Sequence, residues 1–541
     1  MNELVSAAAT KTNFTSMDWC IVGAYLLMSL AIGLVVKRYA TSMSSYIAAG
    51  QSVGVWLGVA SMTGTELGLV TVMYSAEKGF KGGFAAFHIA ILAGIVTFAI
   101  GVTGFIVAPL REAGVLTIPE YYGRRYGKRT QILGGIILAG GGILNMGLFL
   151  KVGSMFIVGV TGLSNEGIAL PMVMTALLAL VLTYTVLGGM ISVIVTDYIQ
   201  FVVLAFGLLL ATWLAVAKLG WENIFETVEA TMGKGGFDPF VSEGHFGVEY
   251  VLWMAFLGIV GCALWPTAVA RALAMESTAA VKRGFRWSSI SFTIRFLVPY
   301  FWGICALVFF VQYEPTLATA FGVGSEPLPD DTEPANALYA MPLFVGRLLP
   351  AGVIGIVSAA MIAAFMSTHD SYLLCWSSVI VQDVIAPLSP KPLGTKTRVL
   401  FTRISIVVIG IYIWMWGLFY NGGDDIWDYM AITGAIYFTG AFALLAGGLY
   451  WKRASSTGAF CALIAGCSAI VGLGPIREPV ARLMLAALGR DVSAAASAEF
   501  LTTARVGLGT ICFTLVVFVV VSLLFPDSPN REPANSSEGV A

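Results

Sequence analysis

The sequence predicts an all-α membrane protein with about 13 transmembrane helices. The chain is 58% hydrophobic and only 11% charged over 541 residues, and its mean hydropathy is +0.85. A soluble domain of this length does not need so much apolar surface. Apolar runs of about 20 residues, long enough to cross a bilayer, recur along the chain. The net charge of −1 gives no electrostatic basis for binding nucleic acid.

The predicted spans follow these apolar runs. They lie near 17–36, 52–77, 84–109, 131–160, 167–187, 192–217, 249–273, 287–312, 338–382, 399–420, 428–450, 455–475 and 503–525. The ninth run is longer than one crossing, so we expect it to include a surface helix before the span itself.

Basic residues predict the orientation, because Lys and Arg are enriched in cytoplasmic loops. They follow alternate spans, as Lys37, Arg38, Arg111, Arg124, Arg125, Lys128, Arg129, Arg271, Lys282, Arg283, Arg286, Lys391, Lys396, Arg398, Lys452 and Arg453. The loops 218–248, 313–337 and 421–428 contain few or none, although one further outer loop carries Arg477, Arg482 and Arg490. We therefore expect a multi-pass protein of the cell (inner or plasma) membrane. Its tail 1–16 lies outside, its transmembrane domain covers 17–526, and its tail 527–541 is cytoplasmic.

Two predicted spans carry residues that interrupt a helix. The span 52–77 contains Gly64, Glu66 and Gly68 at mid-depth, and the span 249–273 contains the pair Trp265-Pro266. Each opens a run of five spans, within about 52–217 and 249–475, and paired interrupted helices of this kind mark a transport site between two repeats. Glycines alone would equally allow close packing. A carboxylate in hydrocarbon needs a partner, so Glu66 favours the site.

A second polar cluster lies in the run 355–383. Ala364, Ser367, Thr368 and Ser371 have the spacing of one helix face. Hydroxyl and carbonyl oxygens are the ligands that small hard cations prefer. The alternative is that these hydroxyls only bond carbonyls one turn back in their own helix.

Five stretches together resemble the sodium:solute symporter family, which includes proline, pantothenate, sialic acid and sugar symporters. They are YIAAGQSVG (46–54), LTIPEYYGRRYG (116–127), YTVLGGMISVIVTDYIQ (184–200), PTAVARALA (266–274) and AAFMSTHDS (363–371). The resemblance covers roughly residues 17–470 and implies two inverted five-helix repeats with broken first helices, plus extra terminal helices.

The resemblance also implies site residues. Sodium ligands would be the backbone oxygens of Gly64, Leu67 and Ala364 and the hydroxyls of Ser367 and Thr368. A possible second sodium would take Asp197, Ser367, Asp370 and Ser371, with Asp197 otherwise a structural cap at the inner end of its span. Substrate positions fall on Glu66, Thr71, Asn145, Gly258, Cys262 and Trp265.

Some residues depart from the family pattern or keep two interpretations. Gln51 replaces the usual Arg, and Gly258 and Cys262 replace aromatic residues of proline-type members, which implies a wider or reshaped pocket. His369 is either a neutral hydrogen-bonding group or a proton-sensitive element beside the sodium site. Lys151 either extends toward the membrane surface or is a counter-ion for Glu66 or an anionic substrate, so we count it among the substrate residues.

The function we expect is sodium-coupled symport of a small organic solute by alternating access, with an amino acid or another small carboxylate favoured. A sugar-type symporter and a transporter-like sensor that acts through a partner are the alternatives. No nucleophile–histidine–acid set or metal-ligand spacing predicts an enzyme, and the chain has three histidines. The expected partners are sodium, the solute and the lipid bilayer.

Overall fold

The computed structural model describes residues 11–36, 51–163, 169–241, 245–324, 334–420 and 425–527. Within these ranges the chain is helical, and the β-structure consists of one isolated parallel bridge between Val53 and Met275. The predicted all-α fold class is confirmed.

The helices, in chain order, have the following bounds. They are α1 (Ser16–Val36), α2 (Val55–Glu66), α3 (Leu69–Gly82), α4 (Phe87–Thr103), α5 (Val107–Glu112), α6 (Ile118–Tyr126), α7 (Lys128–Asn145), α8 (Phe149–Thr161), α9 (Ala169–Leu219), α10 (Trp221–Met232), α11 (Val248–Ala263), α12 (Pro266–Ala274), α13 (Thr278–Tyr313), α14 (Pro315–Ala320), α15 (Ala340–Leu348), α16 (Val353–Val379), α17 (Ala386–Leu388), α18 (Thr395–Phe419), α19 (Ile426–Tyr450), α20 (Ser456–Gly466), α21 (Gly474–Ala487), α22 (Ala494–Phe500) and α23 (Thr503–Leu524). A π-helical turn, Ile380–Ile385, joins α16 to α17.

Fewer uninterrupted apolar helices are found than the spans we expected. The described residues contain nine helices long and apolar enough to cross a membrane, or ten if the bent pair Ser456–Gly472 and Gly474–Ala487 is one span. One reason is that α9 contributes one span, Gln200–Leu219, because Ala169–Thr183, in the predicted span 167–187, is shorter than a crossing. Another is that Leu69–Thr103 forms one continuous apolar helical segment of 35 residues, although its two halves run in opposite directions.

Contacts with α13 show that α3 and α4 are antiparallel. The helix α3 runs parallel to α13, because Tyr74 contacts Phe296 and the later residue Phe80 contacts the later residue Phe310. The helix α4 runs antiparallel to α13, because Gly94 lies beside Thr293 and the later residue Gly104 lies beside the earlier residue Lys282. The chain reverses at Gly83, whose φ of +58° favours glycine. This stretch therefore holds two crossings, in agreement with the predicted spans 52–77 and 84–109.

Both predicted interruptions are present. Between α2 and α3 the chain leaves helical geometry at Leu67 and Gly68, and Gly68 is extended, with φ −80° and ψ 163°. Between α11 and α12 it does so at Leu264 and Trp265, directly before Pro266. Proline has no N–H to continue the preceding helix but suits the first turn of a new one. Each break leaves backbone groups available in the interior of the protein.

The helix α16 lies at the centre of the molecule. It packs against α9, α1, α18 and α2, and nearly all of its side chains are buried. The run 338–382 splits into the short helix α15 and then α16, but α15, which we expected to be a surface helix, is largely buried. The carboxylate of Asp18 on α1 accepts hydrogen bonds from the N–H groups of Gly352 (2.7 Å) and Gly355 (2.8 Å). The N-terminal helix α1 therefore caps the start of α16, the helix that carries the polar cluster.

Candidate functional site

The break between α2 and α3 faces the hydroxyl groups of α16. Ser367 Oγ donates to the carbonyl of Gly64 (2.8 Å), and Thr368 Oγ1 lies 3.1 Å from the carbonyl of Thr65 and 3.0 Å from that of Ala364. All of these groups are buried. Carbonyl and hydroxyl oxygens in a dry interior are a donor set that fits a sodium ion.

The structure therefore brings four of the five expected sodium residues together and adds one. The sequence did not identify Thr65, whose carbonyl bonds Thr368. Leu67 is buried at the break, and its N–H donates to Thr63 at 2.8 Å. Gly68 is needed here, because a Cβ at this position would collide with the Thr368 hydroxyl.

The expected second sodium position is only partly described. Ser371 Oγ donates to Asp370 Oδ1 at 3.2 Å, and both residues are buried. The Arg271 guanidinium donates to Ser371 Oγ at 2.5 Å. Asp197 lies on α9, but its side chain falls outside the described part of the structure.

A cavity of about 100 Å³ lies next to the helix break. Four of the expected substrate residues, Glu66, Thr71, Asn145 and Trp265, line this cavity, as does Thr368 from the ion cluster. Its walls are largely aromatic, with Tyr74, Phe149, Phe296, Tyr372, Trp427 and Phe438. Pockets with mainly apolar walls and a few convergent polar groups are typical of small-solute sites.

The charged partner of Glu66 is Arg295, which the sequence reasoning missed. Arg295 Nη1 lies 3.2 Å from Glu66 Oε2, and Thr267 Oγ1 donates to Glu66 Oε1 at 2.7 Å. The guanidinium is 3.8 Å from the centre of the Phe292 ring. Arg295 lies within the predicted span 287–312, and a charge inside a span is itself a signal for a site.

Three expected substrate residues, Gly258, Cys262 and Lys151, do not line this cavity. Gly258 faces Val96 on α4, and Cys262 Sγ lies 2.9 Å from Thr97 Oγ1 on the same helix. Their neighbours Leu257 and Gly261 line the cavity instead. The residues of α11 that line the cavity thus lie one position before each expected residue, and one position turns a helix by about 100°. The assignment of Gly258 and Cys262 to the substrate remains a prediction.

Lys151 lies beside a second, larger cavity. Its Nζ donates to the carbonyl of Tyr420 at 3.0 Å, and Glu66 pairs with Arg295 instead, so of the two interpretations the structure does not support Lys151 as the counter-ion of Glu66. This cavity has a volume of about 770 Å³ and is also lined by Glu77, Lys81 and Asp425. Lys151 therefore lies beside this second cavity, near the start of α19, and not beside the cavity that contains Glu66.

A charge cluster joins α3 to the start of α19. Lys78 Nζ lies 2.8 Å from Asp425 Oδ2 and 2.9 Å from Asp428 Oδ2. Burial alone would raise the pKa of Asp425, but Lys78 and Lys81 outweigh it and hold that pKa well below its ordinary value. Partial desolvation, together with the charge of Lys78, lowers the pKa of His245 to about 3, although 29% of its side chain is exposed. His245 is therefore neutral at neutral pH.

His369 lies on the side of α16 away from the carbonyls of α2. Its Nδ1 lies 2.9 Å from the carbonyl of Phe365, and its ring packs on the rings of Phe365 and Phe149. This arrangement fits the interpretation of His369 as a neutral hydrogen-bonding group.

Comparison with known proteins shows which family the chain matches. The model of the sodium:solute symporter family matches residues 46–466. A sodium/glucose cotransporter of Vibrio parahaemolyticus is 24% identical over 83% of this chain and 83% of its own length. A sodium/proline symporter of Staphylococcus aureus is 21% identical over 86% and 87%, respectively. The structure of a Na⁺-coupled sialic acid symporter in a substrate-bound outward-open state matches with a TM-score of 0.73 and 20% identity. That match covers 94% of this chain and 98% of the other, so the two proteins share a fold.

Proposed function

Because this chain belongs to the sodium:solute symporter family, we propose that it takes up a small zwitterionic solute of the amino-acid class together with sodium. Members of the family are transporters rather than enzymes, and sodium is the coupling ion. The solute class is the part that we infer from the site.

The ion pair in the central cavity carries this inference. Glu66 and Arg295 present opposite charges to the same small space, at a separation of 3.2 Å. An ammonium group can pair with Glu66 while a carboxylate pairs with Arg295, so a zwitterion keeps both buried charges compensated. A simple carboxylate would add a negative charge beside Glu66. At 4 Å and an effective dielectric constant of 20, such a repulsion is worth about 4 kcal/mol.

The same helix break supports the coupling of ion and solute. Glu66 and Thr65 border the cavity, while the carbonyls of Gly64 and Thr65 contact Ser367 and Thr368. Sodium held between α2 and α16 would fix the end of α2, and therefore the Glu66 carboxylate. By linkage the solute strengthens sodium binding by the same factor. Entry of one charge through the membrane potential supplies about 2.3 kcal/mol per 100 mV.

A sugar is the second candidate solute. Seven aromatic residues line the cavity, counting Trp265 with the six named above, and their ring faces could pack against a pyranose. The similarity to sodium/glucose cotransporters points the same way.

Uptake into proteoliposomes under an inward sodium gradient separates the two candidates. We expect sodium-dependent uptake of at least one labelled amino acid from a panel that includes L-proline and L-alanine, and no uptake of D-glucose. Choline in place of sodium is the control. Sodium-dependent uptake of glucose alone would replace the amino-acid proposal by the sugar proposal. Binding without transport of any probe would favour the sensor alternative.

We also propose the orientation in which the N-terminus is outside and the C-terminus is cytoplasmic, with a transmembrane domain over 17–526. The sorting of basic residues supports it. Cysteines introduced at the exposed positions Arg129 and Arg283 should react with an impermeant reagent only after the cells are opened, and one at the exposed position Lys234 should react in intact cells. The reverse pattern would invert the topology.

A further inference from the structure

Arg271 is a charged residue that the sequence assigns to a cytoplasmic loop and the structure places in the interior. It lies on α12, the second half of the broken span, and only 1% of it is exposed. A buried guanidinium is costly unless hydrogen bonds and charge compensate it, so its position calls for a role.

The guanidinium of Arg271 contacts residues next to the ion cluster. Its Nη2 donates to Thr65 Oγ1 (2.7 Å) and to Ser371 Oγ (2.5 Å). The carbonyl of Thr65 bonds Thr368, and Ser371 lies one helical turn beyond Ser367 on the same face of α16. The guanidinium therefore joins the break in α2 to the ion-binding side of α16, yet it bonds neither Ser367 nor the Thr368 hydroxyl in the described contacts.

The other end of α12 reaches the solute cavity. Thr267, one turn before Arg271, donates to Glu66 Oε1 at 2.7 Å. Trp265, at the break before α12, donates from Nε1 to the Tyr372 hydroxyl at 2.8 Å. Glu66, Trp265 and Tyr372 all line the cavity. Between Trp265 and Arg271 the chain is less than two turns of helix, which is a short and rigid connection.

We propose that Arg271 is the positioning residue that transmits sodium occupancy to the solute cavity. Sodium bound between the end of α2 and α16 would hold the Thr65 and Ser371 hydroxyls at the spacing seen in the structure, at which both accept a hydrogen bond from one guanidinium. The bonds fix α12, and α12 fixes Trp265 and the Thr267–Glu66 contact. This inference rests on the placement of sodium at Ser367 and Thr368 in the proposed function.

The test uses sodium alone, so it does not depend on the identity of the solute. Sodium binding is followed by the rise in melting temperature of the purified full-length protein, with choline as the replacement cation. The state of the cavity is followed by the alkylation rate of a cysteine at Leu257, which lines the cavity. The protein without Leu257→Cys gives the background from the seven native cysteines.

In the Leu257→Cys protein we expect sodium to change the alkylation rate at least fivefold. Adding Arg271→Gln should reduce this response to less than twofold while sodium still raises the melting temperature. Arg271→Lys, which keeps the charge, should restore part of the response. Arg347→Gln is the matched control, because Arg347 is also buried, with an 8% exposed side chain, and is paired with Glu314 at 3.1 Å.

Three results would overturn the proposal. A full sodium response of the cavity cysteine in Arg271→Gln would show that the signal does not pass through Arg271. Loss of sodium stabilisation in that variant would place Arg271 in the ion site itself. An equal loss of the response in Arg347→Gln would reduce the effect to general destabilisation. If Ser367→Ala and Thr368→Ala keep their sodium affinity, the proposed function fails first, and this outcome is distinguishable from the other three.

Discussion

Replacing Ser367 or Thr368 by Ala removes one oxygen from the proposed sodium site without adding volume. Each hydroxyl is buried and lies within 3.1 Å of a carbonyl at the break in α2. The loss of one such ligand should resemble the loss of a hydrogen bond to a charged group, about 1.5–3 kcal/mol. Since 1.4 kcal/mol corresponds to a factor of ten, the half-saturating sodium concentration should rise about ten- to a hundredfold.

The assay is equilibrium binding of a solute over a range of sodium concentrations. By reciprocity, the solute affinity of Ser367→Ala and Thr368→Ala should fall at low sodium and largely recover when sodium is raised. Ser377→Ala is the matched control, because this buried serine on α16 bonds only the Leu374 carbonyl (3.0 Å) in the described contacts. If both site variants keep the wild-type sodium dependence, sodium binds elsewhere and the assignment fails.

Three further predictions follow from the positions of charged groups. Glu66→Gln removes the negative partner of Arg295, so solute affinity measured by calorimetry should fall at least about tenfold; an unchanged affinity would remove Glu66 from the solute site. Lys151→Ala should change solute affinity by less than about threefold, because Lys151 bonds Tyr420 outside the central cavity; a tenfold loss would restore its proposed role as a counter-ion. The pKa of His245 is about 3 in the fold but near 6.5 when unfolded, so the unfolded state binds the proton first and stability should fall as the pH drops from about 6.5 toward 3. His245→Gln should therefore flatten the decline in melting temperature between about pH 7 and 5, and an unaltered slope would contradict a neutral His245.

Local sequence signals were reliable where the chemistry is local. Pro266 and the glycines around Glu66 predicted both interruptions, because helix interruption depends on the residue itself and its immediate neighbours. The face shared by Ser367 and Thr368 follows from helix periodicity alone, and the structure turns that face toward the break in α2.

Assignments that depend on how two helices meet were less reliable. Gly258 and Cys262 were carried over from the family onto the cavity, but α11 turns them toward α4 and presents Leu257 and Gly261 instead. A rotation of one residue leaves the apolar pattern of a membrane helix almost unchanged, so the sequence does not determine it.

By itself the sequence determined an all-helical membrane protein, its two broken helices and a polar face suited to sodium, because hydropathy, helix breakers and periodicity act over short stretches of chain. Its family was indicated by the resemblance of five short stretches to known members. Only the tertiary structure decided the charge partners. Arg295 pairs with Glu66 across 229 positions, and Arg271 reaches Ser371 across 100. Such pairs form because buried charges need compensation wherever the fold brings them together, and their separation along the chain carries no signal of that contact.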